Sequence, residues 1–241
     1  MSRPITAVII GNEILAGRRQ DAHLANTVSA CNKRKLRLHQ AIFLGDNTED
    51  LIQTYQRLHK ENHIILSYGG IGATPDDRTR QAVAKACGVA IEYHPEGMRI
   101  LENCFGNELT ENRKNLVAFP QGCTLIPNPI NEIPGFSIRH IHCVPGFPQM
   151  AAPMINWVLD TYYQDMAQER EYHALMVQAP ESEIAPLMEQ LEQRYPILTI
   201  SSLPQIRHEL ELGIEGEPNQ VSEALAEAKG WLENHQMPYQ E

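Results

Sequence analysis

No stretch of the 241 residues approaches the roughly 20 consecutive apolar residues that a membrane-spanning helix needs, so a membrane protein is not expected. The start, Met1 to Ile10, has one early cation, Arg3, and a short apolar run. It lacks a long apolar region followed by a cleavage site, and it reads as a strand rather than a signal peptide. Positive charge is scarce: 20 Lys and Arg stand against 30 Asp and Glu, a formal net charge of −10. That excludes non-specific attraction to nucleic acid or to an anionic membrane surface. A phosphate site in such a chain must draw on backbone amides, local cations or a bound metal. Cysteine is limited to Cys31, Cys87, Cys104, Cys123 and Cys143, odd in number and without a C-x-x-C pair. Free, mostly buried thiols in a reducing cytoplasm are expected. No G-x-S-x-G or Ser/His/Asp signature points to acyl transfer, and there is no internal repeat.

What is present alternates strands and helices. Thr6 to Ile10 is an apolar, β-branched run stopped by Gly11, the pattern of a buried parallel strand. A helix is expected over 21–33 and a strand over 36–44. Thr48 is placed to cap a helix carrying Leu51, Ile52, Tyr55 and Leu58 on one face. His63 to Ser67 reads as a third strand and 77–87 as the helix after it, with Gly88 as its stop. The proline- and glycine-rich stretch 115–150 reads as short strands at 116–119, 123–126, 136–138 and 140–144, and helical spacing returns from Met150 to about Tyr163. The expected fold class is α/β: a three-layer, mostly parallel sheet over residues 1–165. After the polar stretch 164–171, a small α+β domain is expected over 170–241, in the order β-α-β-β-α.

Four segments at expected strand ends carry the chemistry. In Gly69-Gly70-Ile71-Gly72-Ala73-Thr74-Pro75-Asp76-Asp77, between a strand and a helix, glycines let the backbone approach a ligand and successive amides can hold phosphate oxygens. A plain strand-to-helix turn needs the same glycines. The carboxylates Asp76 and Asp77 tilt the reading, because two acids beside a phosphate repel it unless a divalent cation such as Mg²⁺, Mn²⁺ or Co²⁺ lies between. Gly45-Asp46-Asn47 follows another strand, where a simple capping turn is the rival reading. Gly11-Asn12-Glu13 offers Glu13 as a site acid or a surface acid. Val144-Pro145-Gly146-Phe147-Pro148 forms a rigid turn opening a helix. If all four lie at carboxyl ends of strands, one sheet edge gathers Glu13, Asp46, Asp76 and Asp77.

The order of these segments resembles the competence/damage-inducible protein A (CinA) family, within the molybdopterin-binding (MoaB/Mog) superfamily. The matching segments are Gly11 to Gly17, Gly45 to Asn47, Gly69 to Thr79, Asn128 to Phe136 and Pro145 to Met150, so the likeness covers about residues 5–160. Residues 172–235 resemble that family's KH-like domain, and its amidohydrolase domain has no counterpart in these 241 residues. The resemblance implies a metal-dependent pyrophosphatase acting on ADP-ribose or a related dinucleotide such as FAD, or else a non-catalytic molybdopterin- or nucleotide-binding protein. It implies Asp77 and Asp46 as catalytic acids and Asp76 with Asp77 on the metal. Asn12, Glu13, Gly69, Gly70, Gly72, Thr74, Pro145 and Gly146 would bind the ligand, a small-molecule nucleotide or pterin. Two departures stand out: Ala73 replaces the family's proline, and Asn131-Glu132-Ile133 replaces Gly-Thr-Ala. If that loop touches phosphate, the Glu132 charge should weaken binding.

Other features have plain readings. His140 and His142 share one strand face without an evident third ligand, and are expected to be structural. Lys33-Arg34-Lys35 with Arg37 reads as a solvated basic surface. Residues 172–241 have no G-x-x-G loop and are rich in Glu, so RNA is not an expected partner despite the KH resemblance. Exposed sheet edges and loops of such folds leave room for a homo-oligomer.

Overall fold

The computed structural model describes residues 3–205 and 209–241; Met1 and Ser2, quoted in reading the start of the chain, lie outside them. The chain divides into two compact units, Met1–Ala167 and Gln168–Glu241.

The first unit is built on a six-stranded sheet. Its strands are β1 (Ile5–Ile10), β2 (Leu38–Leu44), β3 (Ile64–Tyr68), β6 (Thr124–Ile126), β7 (Gly135–Ile138) and β8 (Ile141–Val144), in the order β2-β1-β3-β8-β7-β6. The first four in that order are mutually parallel, while β7 runs antiparallel to β8 and β6 antiparallel to β7. Every residue of β1 is buried, as expected of an apolar strand covered on both faces. Its alternate side chains feed two cores. Val8 and Ile10 join Leu51, Ile52, Tyr55 and Leu58 of helix α3 (Thr48–Lys60) together with Ala82 and Val83 of α4 (Thr79–Cys87). Ile5, Ala7 and Ile9 pack with Ala30 and Cys31 of α2 (His23–Asn32) and with Met154, Ile155 and Val158 of α7 (Pro148–Tyr162). The result is the three-layer, mostly parallel α/β sheet.

Several local expectations shift. Asn47, not Thr48, caps α3: its side chain accepts from the amides of Glu49 and Asp50, and Thr48 is already helical. Helix α4 begins at Thr79 and not at residue 77, because Thr79 folds back onto the glycine turn, its hydroxyl donating to Gly69 O (3.0 Å) and its amide to Gly70 O (3.0 Å). Arg34 is no solvated cation. Its guanidinium donates to both Asp160 oxygens (2.6 Å each) and to Asn156 Oδ1 (2.8 Å), tying α2 to α7. Between α4 and β6, where only a strand at 116–119 was expected, the chain forms β4 (Ile91–Tyr93), α5 (Pro95–Phe105), the short α6 (Glu111–Lys114) and β5 (Ala118–Pro120), the last overlapping that expected strand. Strands β4 and β5 form a separate antiparallel pair. Among the described residues, all five cysteines are free, with Cys104 alone exposed. No helix of the described residues is long and apolar enough to cross a membrane.

The second unit runs β9 (Glu171–Val177), α8 (Glu181–Arg194), β10 (Thr199–Pro204), β11 (Leu210–Gly216), α9 (Pro218–Asn234) and β12 (Tyr239–Gln240). Its antiparallel sheet has the order β10-β11-β9-β12, one short strand more than expected. Leu175, Val177, Leu212 and Ile214 of the sheet bury against Ile184, Leu187 and Leu191 of α8 and Val221, Ala224 and Ala228 of α9.

Candidate functional site

The parallel order β2-β1-β3-β8 fixes where a site can form. Adjacent parallel strands end on the same edge, and ligands of open α/β sheets bind there. The residues following these four strands are Gly45-Asp46, Gly11-Asn12-Glu13, Gly69-Gly70 and Pro145-Gly146. Together with the Ile71–Asp77 turn they wall a cavity of about 490 Å³, within the usual range for a small-molecule site. Of the residues expected to act, Glu13, Asp46, Gly69, Gly70, Gly72, Thr74, Asp76, Asp77, Pro145 and Gly146 all line it. Asn12 does not. It works one step back: its amide donates to Asp46 Oδ2 (3.2 Å), and its side-chain oxygen lies where a Cβ on Gly45 would fall (2.5 Å). Asn12 thus staples the first loop to the second and sets the Asp46 carboxylate.

The glycine turn is dictated by crowding. Gly69 and Gly70 both have positive φ (93° and 68°), which L side chains rarely adopt. A Cβ on Gly69 would lie 2.6 Å from Ile10 O, and one on Gly70 would collide with the Thr79 hydroxyl. The Gly69 amide donates to Val144 O (3.0 Å), closing the β3–β8 ladder. It is therefore spent within the sheet and not free for a ligand. Beneath the turn, Arg80 is 3% exposed and donates to Ile71 O (2.9 Å) and Asn115 O (2.5 Å). Burial lowers its pKa, and the Asp77 carboxylate opposes that.

Asp77 is tied to its own turn. Its Oδ2 accepts from the amide (3.0 Å) and the hydroxyl (2.6 Å) of Thr74, and a Cβ on Gly72 would fall 2.5 Å from that same oxygen. Asp77 does not cap the following helix: the N-cap of α4 is Arg78, without a side-chain cap bond. Hydrogen bonding from Thr74 and from its own backbone holds the neighbouring Asp76 carboxyl below its ordinary range.

Four carboxylates, Glu13, Asp46, Asp76 and Asp77, line the cavity with one cation, Arg19. Arg19 lies 3.7 Å from Glu13 and sits over the Phe147 ring, 5.3 Å from its centroid. Among the described residues no group of three or more His, Cys, Asp or Glu is placed to enclose a metal ion. The donor set does not make a protein-only cage. It suits an ion such as Mg²⁺, which keeps its waters and joins one or two carboxylates to a ligand's phosphates.

The substituted loop behaves otherwise than its charge suggested. Asn131, Ile133 and Pro134 line the cavity, but Glu132 does not. Its carboxylate faces Cys104 (3.7 Å from Sγ) instead, so the expected weakening of a ligand by that charge has no geometric basis. Asn131 Oδ1 accepts from Asn128 Nδ2 (2.7 Å) and from the Ile133 amide (3.2 Å), which holds the loop without a glycine. Glu132 itself takes a φ of 66°. Such a conformation costs a non-glycine residue about 1–2 kcal/mol, partly offset by glycine's larger unfolded-state entropy. Glu132→Gly should therefore raise stability in urea denaturation by up to about 1 kcal/mol and leave ligand affinity unchanged. Weaker or tighter ligand binding in calorimetry would show that the side chain reaches the cavity after all.

His142 lies within β8, three residues before Pro145, and does not line the cavity. Its ring nitrogens meet Ser137 Oγ (2.8 Å) and Tyr163 OH (2.6 Å), a structural use of both. On the inner side of the site, His23, 3% exposed, contacts Gly146 O through Nε2 (3.3 Å) and packs on the Tyr68 ring (4.7 Å between centroids). The sequence reading gave no role to His23, Arg19 or Phe147. For the last two the signal was a cation and an aromatic inside otherwise glycine- and proline-dominated loops.

An open, mostly parallel sheet with a glycine-turn cavity at its carboxyl edge defines an α/β ligand-binding domain. The chain belongs to the family described as a probable molybdopterin binding domain, whose model it matches over residues 6–164. A protein of Aeropyrum pernix is 26% identical over 208 residues, 82% of this chain and 78% of that one. A CinA-like protein of Anaeromyxobacter is 30% identical over 145 residues, 57% of this chain. The chain spans only about a third of that relative's length (35%). In fold, it is similar to the solved protein CinA of Thermoplasma acidophilum, with a TM-score of 0.60 and 21% identity, over 66% of this chain and 97% of that one.

Proposed function

We propose that this protein hydrolyses the pyrophosphate bond of ADP-ribose or of a related dinucleotide such as FAD, with a divalent metal ion. The observation that carries the reading is the meeting of Asp46 and the Thr74–Asp77 turn with the glycine turn at one cavity. The amides of Gly70 to Gly72 would hold phosphate oxygens without adding negative charge. Asp76 and Asp77 would hold Mg²⁺, Mn²⁺ or Co²⁺. Such an ion supplies charge neutralisation at the diphosphate and a more acidic water. Asp46, held by the Asn12 amide, would take a proton from the attacking water. The water oxygen bonds one phosphorus, the bridging P–O bond breaks, and the bridging oxygen leaves on the second phosphate. Thr74 keeps the Asp77 carboxylate oriented in the absence of substrate.

A second reading is a binding protein for molybdopterin or a nucleotide, linked to molybdenum cofactor biosynthesis. The family description favours it. One experiment separates the two. Purified protein is incubated with ADP-ribose, FAD or molybdopterin, with each metal and with chelator, and products are resolved by chromatography while binding is followed by calorimetry. AMP and ribose 5-phosphate appearing from ADP-ribose only with metal is the expected result. Saturable binding with no turnover under any metal would leave the binding protein.

A further inference from the structure

We propose that Phe147 and Arg19 form the platform that takes the planar heteroaromatic ring of the ligand, leaving the glycine turn to its phosphates. The inference rests on the reading of this cavity as a nucleotide or pterin site, and adds which residues of this chain select the ring.

Three observations converge on Phe147. It lines the cavity and is 53% exposed, so its ring is accessible to a ligand there. Its backbone is pinned between Pro145 two residues before and Pro148, which opens α7, so the ring cannot retreat cheaply. It also occupies the N-cap position of α7 and makes no cap bond. Asn, Asp, Ser or Thr there would satisfy an orphan amide. A residue that fails locally where a better one is available is expected at a functional position.

Arg19 supplies the second half. Its guanidinium sits over the Phe147 ring at 5.3 Å, a cation–π distance, and is held from the other side by Glu13 at 3.7 Å. It is the one cation among the lining residues, set against four carboxylates. A planar cation and an aromatic face together bind a flat, electron-rich ring by stacking and cation–π attraction. Apolar side chains, Leu116, Ile133 and Met150, complete the lining. They suit the body of a ring, and not a phosphate.

The test compares ligands with and without a ring. Calorimetry on wild type, Phe147→Ala, Phe147→Tyr and Arg19→Gln uses ADP-ribose, FAD and a pterin phosphate as ring-bearing probes. Ribose 5-phosphate and inorganic pyrophosphate, each with Mg²⁺, are the ring-free probes. Phe147→Ala should weaken the ring-bearing ligand about tenfold or more and leave ring-free binding unchanged, while Phe147→Tyr stays near wild type. Arg19→Gln should weaken the same ligand by less. Equal losses for ring-bearing and ring-free probes, or no loss in Phe147→Ala, overturn the platform. Wild type that binds ring-free phosphate but no ring-bearing ligand also overturns it, while leaving the phosphate site in place. Wild type that binds none of the probes overturns the reading of the cavity itself, and the platform with it.

Discussion

Asp77→Asn should lower metal-dependent hydrolysis by about 10²–10³-fold, the usual cost of losing one group that stabilises charge at a reacting centre, while the protein stays folded. The exchange keeps size and shape. An Asn Oδ1 can still accept from the amide and hydroxyl of Thr74, which now donate to Asp77 Oδ2, so the turn need not open. What goes is a negative charge, with two separable consequences. Without metal, the cavity becomes less repulsive to a diphosphate, and ligand affinity should hold or improve. With metal, the ion loses a carboxylate, and turnover falls. The structure also supplies a rival role, because Asp77 is the nearby countercharge of the buried Arg80. Were that its whole function, Asn would lower stability by leaving a buried cation without its countercharge, and activity per folded molecule would survive. Measuring turnover against metal concentration alongside the melting temperature distinguishes them. Normal turnover in folded Asp77→Asn would remove Asp77 from the chemistry. Asp46→Asn is the companion: with the Asn12 amide as its only described partner, it should lose activity with a smaller stability change.

The strand ends were legible because they are written locally. An apolar β-branched run stopped by glycine, as in Ile5–Ile10 before Gly11 and Ile64–Tyr68 before Gly69, is a buried strand whether or not its neighbours are known. Once these strands are parallel and adjacent, their loops have to meet, which is why Glu13, Asp46, Asp76 and Asp77 border one cavity. Orientation within the loops was not legible. Glu132 faces Cys104 because its backbone takes a φ of 66°, and nothing in the letters Asn-Glu-Ile reports that angle. Arg34 looked like one of several surface cations, and only the return of the chain 126 residues later brings Asp160 to its guanidinium.

The region from β4 to α6 went unread for two different reasons. Strand β4 has three residues, all exposed, too short and too polar in setting to show an alternation. Helix α5 did leave a signal. His94 caps it, Pro95 stands in its first turn, and Met98, Leu101 and Phe105 recur at helical spacing toward the core. That pattern was available, although it lies between motifs that draw attention. Arg19 and Phe147 were passed over for a related reason: Phe147 sits inside a motif made recognisable by its prolines and glycine, and Arg19 two residues past another, so only their meeting at the cavity marks them.

Stability should fall as the medium is acidified from pH 7 to pH 4.5, and His142 should account for about 2–3 kcal/mol of the loss. Its imidazole is 1% exposed, and burial, with a smaller contribution from His140, pushes its pKa down to about 3. In the unfolded chain the same group titrates near 6.5. Between those values the unfolded state binds a proton that the folded state refuses, so stability rises with pH across the window and is fully present only above about 6.5. Hydrogen bonding is not what forbids the proton. Ser137 Oγ and Tyr163 OH are hydroxyls that can turn to accept from both ring nitrogens. The cost is the charge itself, enclosed by the Tyr162 and Tyr163 rings at 5.5 Å each, with His140 nearby and no carboxylate contributing. His23 and His63, also lowered by burial, add smaller slopes of the same sign. His142→Gln replaces the titrating ring with an amide that can serve both hydroxyls. The variant should be less stable than wild type at pH 7 through imperfect packing, yet its urea midpoint should change much less between pH 7 and 4.5. A wild-type midpoint that is flat over this range, or a variant that keeps the full slope, would place the acid sensitivity elsewhere than in this buried histidine.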